Sequence, residues 1–326
     1  MSKFSFCGAD LDVMAATAPG WDQDYAQVGH GRSRGLLVGV SSRRAQFGIL
    51  RWQPGVLVRG EGPHAAMVFG IPLGDPGDAK LRGTALQEGV IEVVQPGQAI
   101  DLVANGPLGL GVFAVAQRDV RARAEALGHP LASHNVTRRL RVRSEADSQR
   151  MRQAALRLLR CTSPRSGTAA VAIDLLEADL LDAILQAGDQ SAGDAPAVVR
   201  RRKARRALDY LTACVDRPQT TLGDVCRAVG TSERTLHLAF HEAFGTSPKA
   251  LLKQLRLSAA RRQLRSGACA SVTDAALRCG YLHFGRFAAD YRIQFGESPS
   301  RTLRDTGGAS SSPAGERGQR VLAAIG

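Results

Sequence analysis

One pattern occurs twice in this chain, and a duplicated unit narrows the choice of folds more than any other feature. TLGDVCRAVG (residues 221–230) and SVTDAALRCG (271–280) run in parallel, pairing Thr221/Ser271, Leu222/Val272, Asp224/Asp274 and Gly230/Gly280. One extra residue then enters the second copy. The register afterwards holds through Leu236/Phe287, Phe240/Tyr291, Phe244/Phe295, Gly245/Gly296, Pro248/Pro299 and Leu252/Leu303. Thr221 and Ser271 stand where a helix N-cap belongs, and Asp224 or Asp274 follows in the first turn, at the positive end of the helix. Gly230 and Gly280 should end that helix, since glycine most easily adopts the left-handed backbone. A second helix follows at once, apolar on one side through Leu236, Phe240 and Ala243 in the first copy and Phe287 and Tyr291 in the second. Two short helices across a tight glycine turn form a helix-turn-helix, whose second helix can lie in a DNA major groove.

The totals agree with a polyanionic partner. Over 326 residues the formal net charge is +13, and each phosphate neutralised by a cation releases counterions. Charge alone would serve solubility equally well. The length suits two domains. The six cysteines, Cys7, Cys161, Cys214, Cys226, Cys269 and Cys279, form no CxxC pair. Cys226 and Cys279 fall on the inward faces of the repeated helices, as small apolar residues. No leader segment and no long apolar run are read from the sequence, so a reducing cytoplasm and no membrane partner are expected.

Residues from about 199 to 304 resemble the DNA-binding domain of AraC/XylS-type transcription regulators. The likeness is carried by Thr221-Leu222, Val225, Val229-Gly230-Thr231-Ser232, Thr235-Leu236, Phe240 and Phe244-Gly245-Thr246-Ser247-Pro248. It continues through Leu255-Arg256-Leu257, Ala260-Arg261-Arg262-Gln263-Leu264, Val272, Ala275-Ala276, Gly280-Tyr281, Phe284-Gly285-Arg286-Phe287, Tyr291 and Phe295-Gly296-Glu297-Ser298-Pro299. The runs around Arg234–His241 and Phe284–Tyr291 are most similar to regulators of ethanolamine-utilisation genes. The resemblance implies that Arg234, His237 and Leu238 touch bases. Arg234 is able to make two hydrogen bonds to a guanine edge. Leu238 stands where many relatives have arginine, and a leucine can offer only apolar contact to a thymine methyl. Glu233 and His241 also face outwards on this first reading helix, expected over about 232–244. On the second, about 283–295, the candidates are His283, Phe284, Gly285, Arg286 and Ala289. Ser232 and Ser271 at helix starts are phosphate candidates, as are Arg201 and Arg202 in a basic helix ahead of the repeat.

The first third has another texture. Short apolar runs at 35–40, 46–52, 56–59, 65–72, 89–94, 98–103 and 110–115 are separated by Pro54-Gly55, Gly60, Gly74-Asp75-Pro76-Gly77, Pro96-Gly97 and Asn105-Gly106-Pro107. These predict an antiparallel sandwich or barrel; the family resemblance implies a cupin-like effector barrel. Residues 15–25 read as a loop. Phe47, Trp52, Phe69 and Phe113 are candidates either for a pocket wall or for plain core, and the effector pocket is not located. His30, His64, His129 and His134 show no metal-ligand spacing, so no metal or cofactor and no catalytic centre is expected.

Helices are expected over 120–127, 145–160 and 168–187. The last carries Ile173, Leu176, Leu180 and Ile184 on one side, with Glu177 and Asp182 on the other. It serves either to pack on the barrel or as a self-association seam. Val199, Ala207, Leu208 and Leu211 form the apolar side of the basic helix. Residues 248–266 form a helix joining the two units, spanning about 28 Å at 1.5 Å per residue, against about 34 Å between successive major-groove faces.

The expected architecture is α+β and multidomain. It comprises a sensing barrel (1–135), a helical connector (136–190), a linker (191–198), an all-α double helix-turn-helix domain (199–305) and a disordered tail (306–326). The expected function is a transcription regulator, an activator, that binds operator DNA and a small effector and acts with RNA polymerase, with a homodimer as a further expectation. An enzymatic barrel and an effector-independent architectural DNA binder are the alternatives.

Overall fold

The computed structural model describes residues 2–129, 138–160, 167–189, 195–217 and 219–306. The N-terminal half begins with β1 (Ser2–Gly8), α1 (Leu11–Thr17), β2 (Asp22–Gln27), β3 (Arg34–Ser41), β4 (Ala45–Gln53), β5 (Val56–Glu61) and β6 (Ala66–Pro72). It continues with β7 (Lys80–Leu81), β8 (Thr84–Ala85), β9 (Val90–Val94), β10 (Ile100–Ala104), β11 (Leu108–Ala116), α2 (Gln117–Ala126), β12 (Arg138–Arg141), α3 (Glu145–Arg160), α4 (Gly167–Leu185) and β13 (Gly188–Asp189). All seven expected strands are present, with ends shifted by a residue or two. The expected loop at 15–25 is different: α1 runs to Thr17 and β2 starts at Asp22, with Asp10 Oδ1 capping α1 by accepting from Asp12 N at 3.1 Å.

The strands form two antiparallel sheets, ordered β1-β3-β4-β11-β6-β9-β12-β13 and β2-β5-β10-β7-β8. They stay separate. Among the described residues the expected closed barrel is absent, and the arrangement is a sandwich with open edges. Residue parity explains its layers. In β4, Phe47 and Ile49 point to one side, with Phe69 and Phe113 of neighbouring strands, and are covered by Met151 and Ala154 of α3 and Leu180, Leu181 and Ile184 of α4. Leu50 and Trp52 point the other way, toward the second sheet. A sheet buried on both faces explains apolar runs such as VIEVV in β9, where strict alternation is lost. Phe47, Phe69 and Phe113 are therefore outer core, and of the four aromatic candidates Trp52 alone faces inward. The α4 helix packs on the sheet as one of its two readings requires. Glu177, expected on the outer side, is in fact buried; burial raises its carboxyl pKa and a hydrogen bond to Ser42 opposes this.

The C-terminal half consists of α5 (Ala195–Ala213), α6 (Leu222–Val229), α7 (Glu233–Phe244), α8 (Pro248–Ser266), α9 (Val272–Arg278), α10 (Phe284–Phe295) and α11 (Pro299–Thr306). The repeat's local chemistry is present in full at α6. The Thr221 side chain accepts from Asp224 N, Asp224 Oδ2 accepts from Thr221 N at 2.9 Å, and Gly230 is left-handed at φ 65°. At α9, Ser271 Oγ accepts from Asp274 N at 3.1 Å, and Gly280 has φ 80°. Each unit has its own core: Leu236, Phe240 and Phe244 with Leu208 and Leu211 of α5, then Phe287, Tyr291 and Phe295 with Leu257 and Leu264 of α8. Val199, assigned to the apolar side of α5, is 58% exposed instead. The expected tail beyond Thr306 and the first residues of the expected linker (191–194) lie outside the described residues; Gly188–Asp189, at the end of the expected connector, form β13, and α5 already begins at Ala195.

The two halves share packing. Leu57 of β5 and Val103 of β10 project from the outer face of the small sheet into the core of the first helix-turn-helix. Arg59 binds Thr212 Oγ1 at 2.7 Å and also Asp209, while Asp101 pairs with Arg205 at 3.0 Å. At the centre of the seam Gln27 Nε2 donates to Gly31 O at 2.7 Å and to Gln294 O, and Gln294 Nε2 returns a bond to Gln27 O at 2.9 Å. Replacing Gln27 by alanine leaves buried carbonyls and the Ser33 hydroxyl without these partners. It is expected to cost about 1–3 kcal/mol, seen as a lower midpoint of thermal unfolding than in a control such as Gln117→Ala.

Candidate nucleic-acid interface and effector cavity

The helix-turn-helix geometry decides which side chains are available to a duplex. In α7, Leu236, Ala239, Phe240 and Ala243 are buried, which leaves Arg234, Leu238 and His241 exposed and His237 half-buried. Leu238 is 53% exposed on the outer face of α7. In α10, Phe287, Tyr291, Gln294 and Phe295 are buried, while His283, Phe284, Gly285, Arg286 and Ala289 are exposed. The two candidate sets thus occupy corresponding outer faces of the duplicated unit. Ser232 and Ser271 serve as N-caps, with Ser232 Oγ accepting from Thr235 N at 3.3 Å. Ser232 Oγ also lies 3.0 Å from Thr235 Oγ1, where either hydroxyl can donate.

The basic residues divide. Arg202 is exposed, but Arg201, grouped with it as a phosphate candidate, lies against the sensor: a Cβ at Gly83 would stand 3.0 Å from its Cγ. Arg200 pairs with Glu242 at 2.6 Å and Arg205 with Asp101. On the joining helix α8, Arg261 pairs with Glu297 at 3.0 Å and lies over the Phe295 ring, Arg262 pairs with Asp12 at 2.9 Å, and Arg265 with Asp10 at 2.7 Å. These arginines hold the protein together.

The C-terminal ends of α7 and α10 meet the N-terminal half. Lys80 Nζ donates to His241 O at 3.2 Å and Glu242 O at 2.7 Å, and Asn105 Nδ2 to Phe244 O at 3.3 Å. Gly31 N donates to Ile293 O and Gln294 O at 3.2 and 3.0 Å. Donors at the carbonyl end complement the helix dipole.

Between the two sheets lies a cavity of about 90 Å³. Its wall includes Phe4, Met14, Trp21, Tyr25, Leu50, Trp52 and Leu110, with Gln23, Gln46 and Glu92 as its polar members. Among the described residues, no lysine, arginine or histidine lines it. Gln46 Oε1 accepts from Trp21 Nε1 at 2.9 Å, Gln23 Oε1 from the Tyr25 hydroxyl at 3.0 Å, and Glu92 Oε1 from Arg139 at 2.7 Å. Burial raises the Glu92 carboxyl's pKa and Arg139 pulls it back. Much of this wall comes from the first 30 residues, which gave no clear reading in sequence. The alternation of Phe4 and Phe6, and Asp10 ahead of Leu11 and Met14, are the signals that mark it. Among the described residues, no group of three or more His, Cys, Asp or Glu side chains is placed to hold a metal ion, and no helix is long and apolar enough to cross a membrane. His134 and Cys161 lie outside the described residues.

Residues 225–305 match the family described as HTH_18, a helix-turn-helix domain. This part of the chain is a helix-turn-helix domain, similar to those of the regulators that follow. Over 102 residues the chain is 45% identical to the probable thc operon regulatory protein of Rhodococcus erythropolis, covering 31% of this chain and 30% of that one. It is 44% identical over 75 residues to the XylDLEGF operon transcriptional activator of Pseudomonas putida, covering 22% and 23%. The transcriptional activator NphR of a Rhodococcus species is 34% identical over 142 residues, covering 42% and 40%. A solved structure of a probable AraC family transcriptional regulator from Rhodopseudomonas palustris is 40% identical, covering 32% of this chain and 97% of that one with a TM-score of 0.31. The chain spans less than half the length of these curated relatives. The finer likeness to regulators of ethanolamine-utilisation genes finds no support among them.

Arg234→Ala should weaken operator binding by about 1–3 kcal/mol and relax selectivity at one base position. Arg202→Ala should weaken all sequences alike and lower the salt slope by about 1. Titration of DNA variants at several salt concentrations separates the two outcomes.

Proposed function

We propose that the chain is a transcription regulator, an activator, in which one copy reads two adjacent major-groove segments and the sandwich domain senses a small molecule. The observation that carries this reading is the pair of reading helices, α7 and α10, presenting corresponding exposed faces on either side of one rigid helix. Arg234, His237 and Leu238 would read bases in the first segment. Arg286 would do so in the second, where Gly285 and Ala289 bring the backbone close. His241 and His283 flank these positions, and Ser232, Ser271 and Arg202 would contact phosphates. The names of the relatives support operon regulation, and activation implies contact with RNA polymerase. A bacterial cytoplasm suits such a protein.

The sensing role rests on the cavity and on the parts it shares with the reader. Helix α1 turns Met14 and Ala15 to the cavity, while Asp10 and Asp12 at its start pair with Arg265 and Arg262 of the joining helix. A ligand that binds one arrangement of α1 more tightly than another shifts the population of reader positions by its difference in affinity. A homodimer contact would fall on the helical connector.

DNase I footprinting with purified protein on the DNA flanking its own gene tests the DNA reading. Protection covering two successive turns per chain is expected, and it should shrink to one turn with the double variant Gly285→Glu/Arg286→Glu. Protection of a single turn by the unaltered protein, or none, would overturn the proposal.

A further inference from the structure

Among the described residues, one buried donor of the cavity's lining side chains has no hydrogen-bond partner, and its identity sets the chemistry of what fits. Trp52 lines the cavity and is 4% exposed, and its indole Nε1 has no hydrogen-bond partner. A buried donor left without a partner carries its full desolvation cost. The neighbouring polar groups are engaged: Trp21 Nε1 with Gln46, the Gln46 amide with Pro19 O at 2.8 Å, Tyr25 with Gln23, and Glu92 with Arg139. Parity places Trp52 inward with Gln46, Gly48 and Leu50 of the same strand. The ring edge is further fixed by a T-shaped contact with Tyr25, whose centroid lies 6.1 Å away.

The absence of a cationic lining residue matters as much. A carboxylate brought into this wall would lose its hydration without a counter-charge, at a cost of several kcal/mol, and would approach Glu92. A small ammonium would find an apolar wall and a carboxylate already paired. Size sets a third limit, since an apolar cavity of about 150 Å³ takes up benzene and this one is smaller.

Resting on the reading of this domain as a sensor, we propose that its effector is a small, uncharged, mainly apolar molecule of about ring size. It carries one hydrogen-bond acceptor that takes the Trp52 indole N–H, and the site excludes carboxylates and ammonium compounds. The acceptor gives the Trp52 indole its partner, and the rest of the molecule meets the apolar wall.

The chain has two tryptophans, so two indole N–H resonances in the ¹⁵N-labelled full-length protein report on the site directly. Cyclopentanone, methylcyclopentane, cyclopropanecarboxylate and ethanolamine serve as probes. Cyclopentanone should move the Trp52 resonance downfield and leave the Trp21 resonance close to its place. Cyclopropanecarboxylate and ethanolamine should bind at least about 100-fold more weakly, the penalty for an uncompensated buried charge. Methylcyclopentane should bind roughly 2- to 13-fold more weakly than cyclopentanone, the worth of one net hydrogen bond. Trp52→Phe should remove that preference while binding methylcyclopentane within about twofold of the unaltered protein. The inference is overturned if the anion or the ammonium compound binds as tightly as cyclopentanone, if the ketone and the hydrocarbon bind alike, or if no probe moves either resonance. Should the Phe variant not fold, the comparison of the four probes on the unaltered protein decides. Footprinting on the same preparation keeps the readings apart: lost DNA protection with cyclopentanone still bound defeats the regulator and leaves the ligand class standing.

Discussion

The small sheet β2-β5-β10 is buried on both sides, and the arrangement of the whole molecule depends on that. A strand in such a sheet sends alternate residues in opposite directions. Val56, Val58, Ile100 and Leu102 therefore face the core between the sheets, the last three lining the cavity, while Leu57 and Val103, interleaved with them, enter the core of the first helix-turn-helix. The thickness of one sheet separates the cavity from the reader. A close-packed interior has no slack to absorb a shift on one face without moving the other. The charged groups on the reader side reinforce the joint, with Asp101 held between Arg59 and Arg205.

The larger sheet has the same double burial with different partners. Its outer face is sealed by α3 and α4, so the sandwich forms three layers before the reader is added. Helix α1 closes one side of the cavity, packed on β1, β2 and β3 rather than within a layer. Its acidic start belongs to the seam with α8 and its apolar residues to the cavity.

Sequence made the reader legible and the sensor only partly so, for a physical reason. The caps Thr221 and Ser271, the acids Asp224 and Asp274 and the glycines Gly230 and Gly280 act within a few residues of themselves. Their roles are written in the local chain, and duplication states them twice. The strand positions were equally readable from apolar runs and turn residues. Which side of a strand faces a cavity is decided by partners far away in sequence. Phe47 and Trp52 look alike as aromatic residues of one strand, yet they face opposite layers. Helical spacing places Glu177 outward because spacing cannot report what lies above a helix. It places Val199 inward for the same reason. Arg201 and Arg205 look like one basic face with Arg202, and only the packing of α5 on the sensor separates them.

The repeat extends to the places where the reader is held. Phe244-Gly245 and Phe295-Gly296 are equivalent corners of the two units. The first meets Asn105 and Lys80, and the second meets Gly31 and Arg32. The sensor thus grips like a calliper, with one jaw on each corner. A gauge set by two jaws fixes the spacing and the phase of the objects between them together, so neither unit can pivot alone without letting go of its jaw.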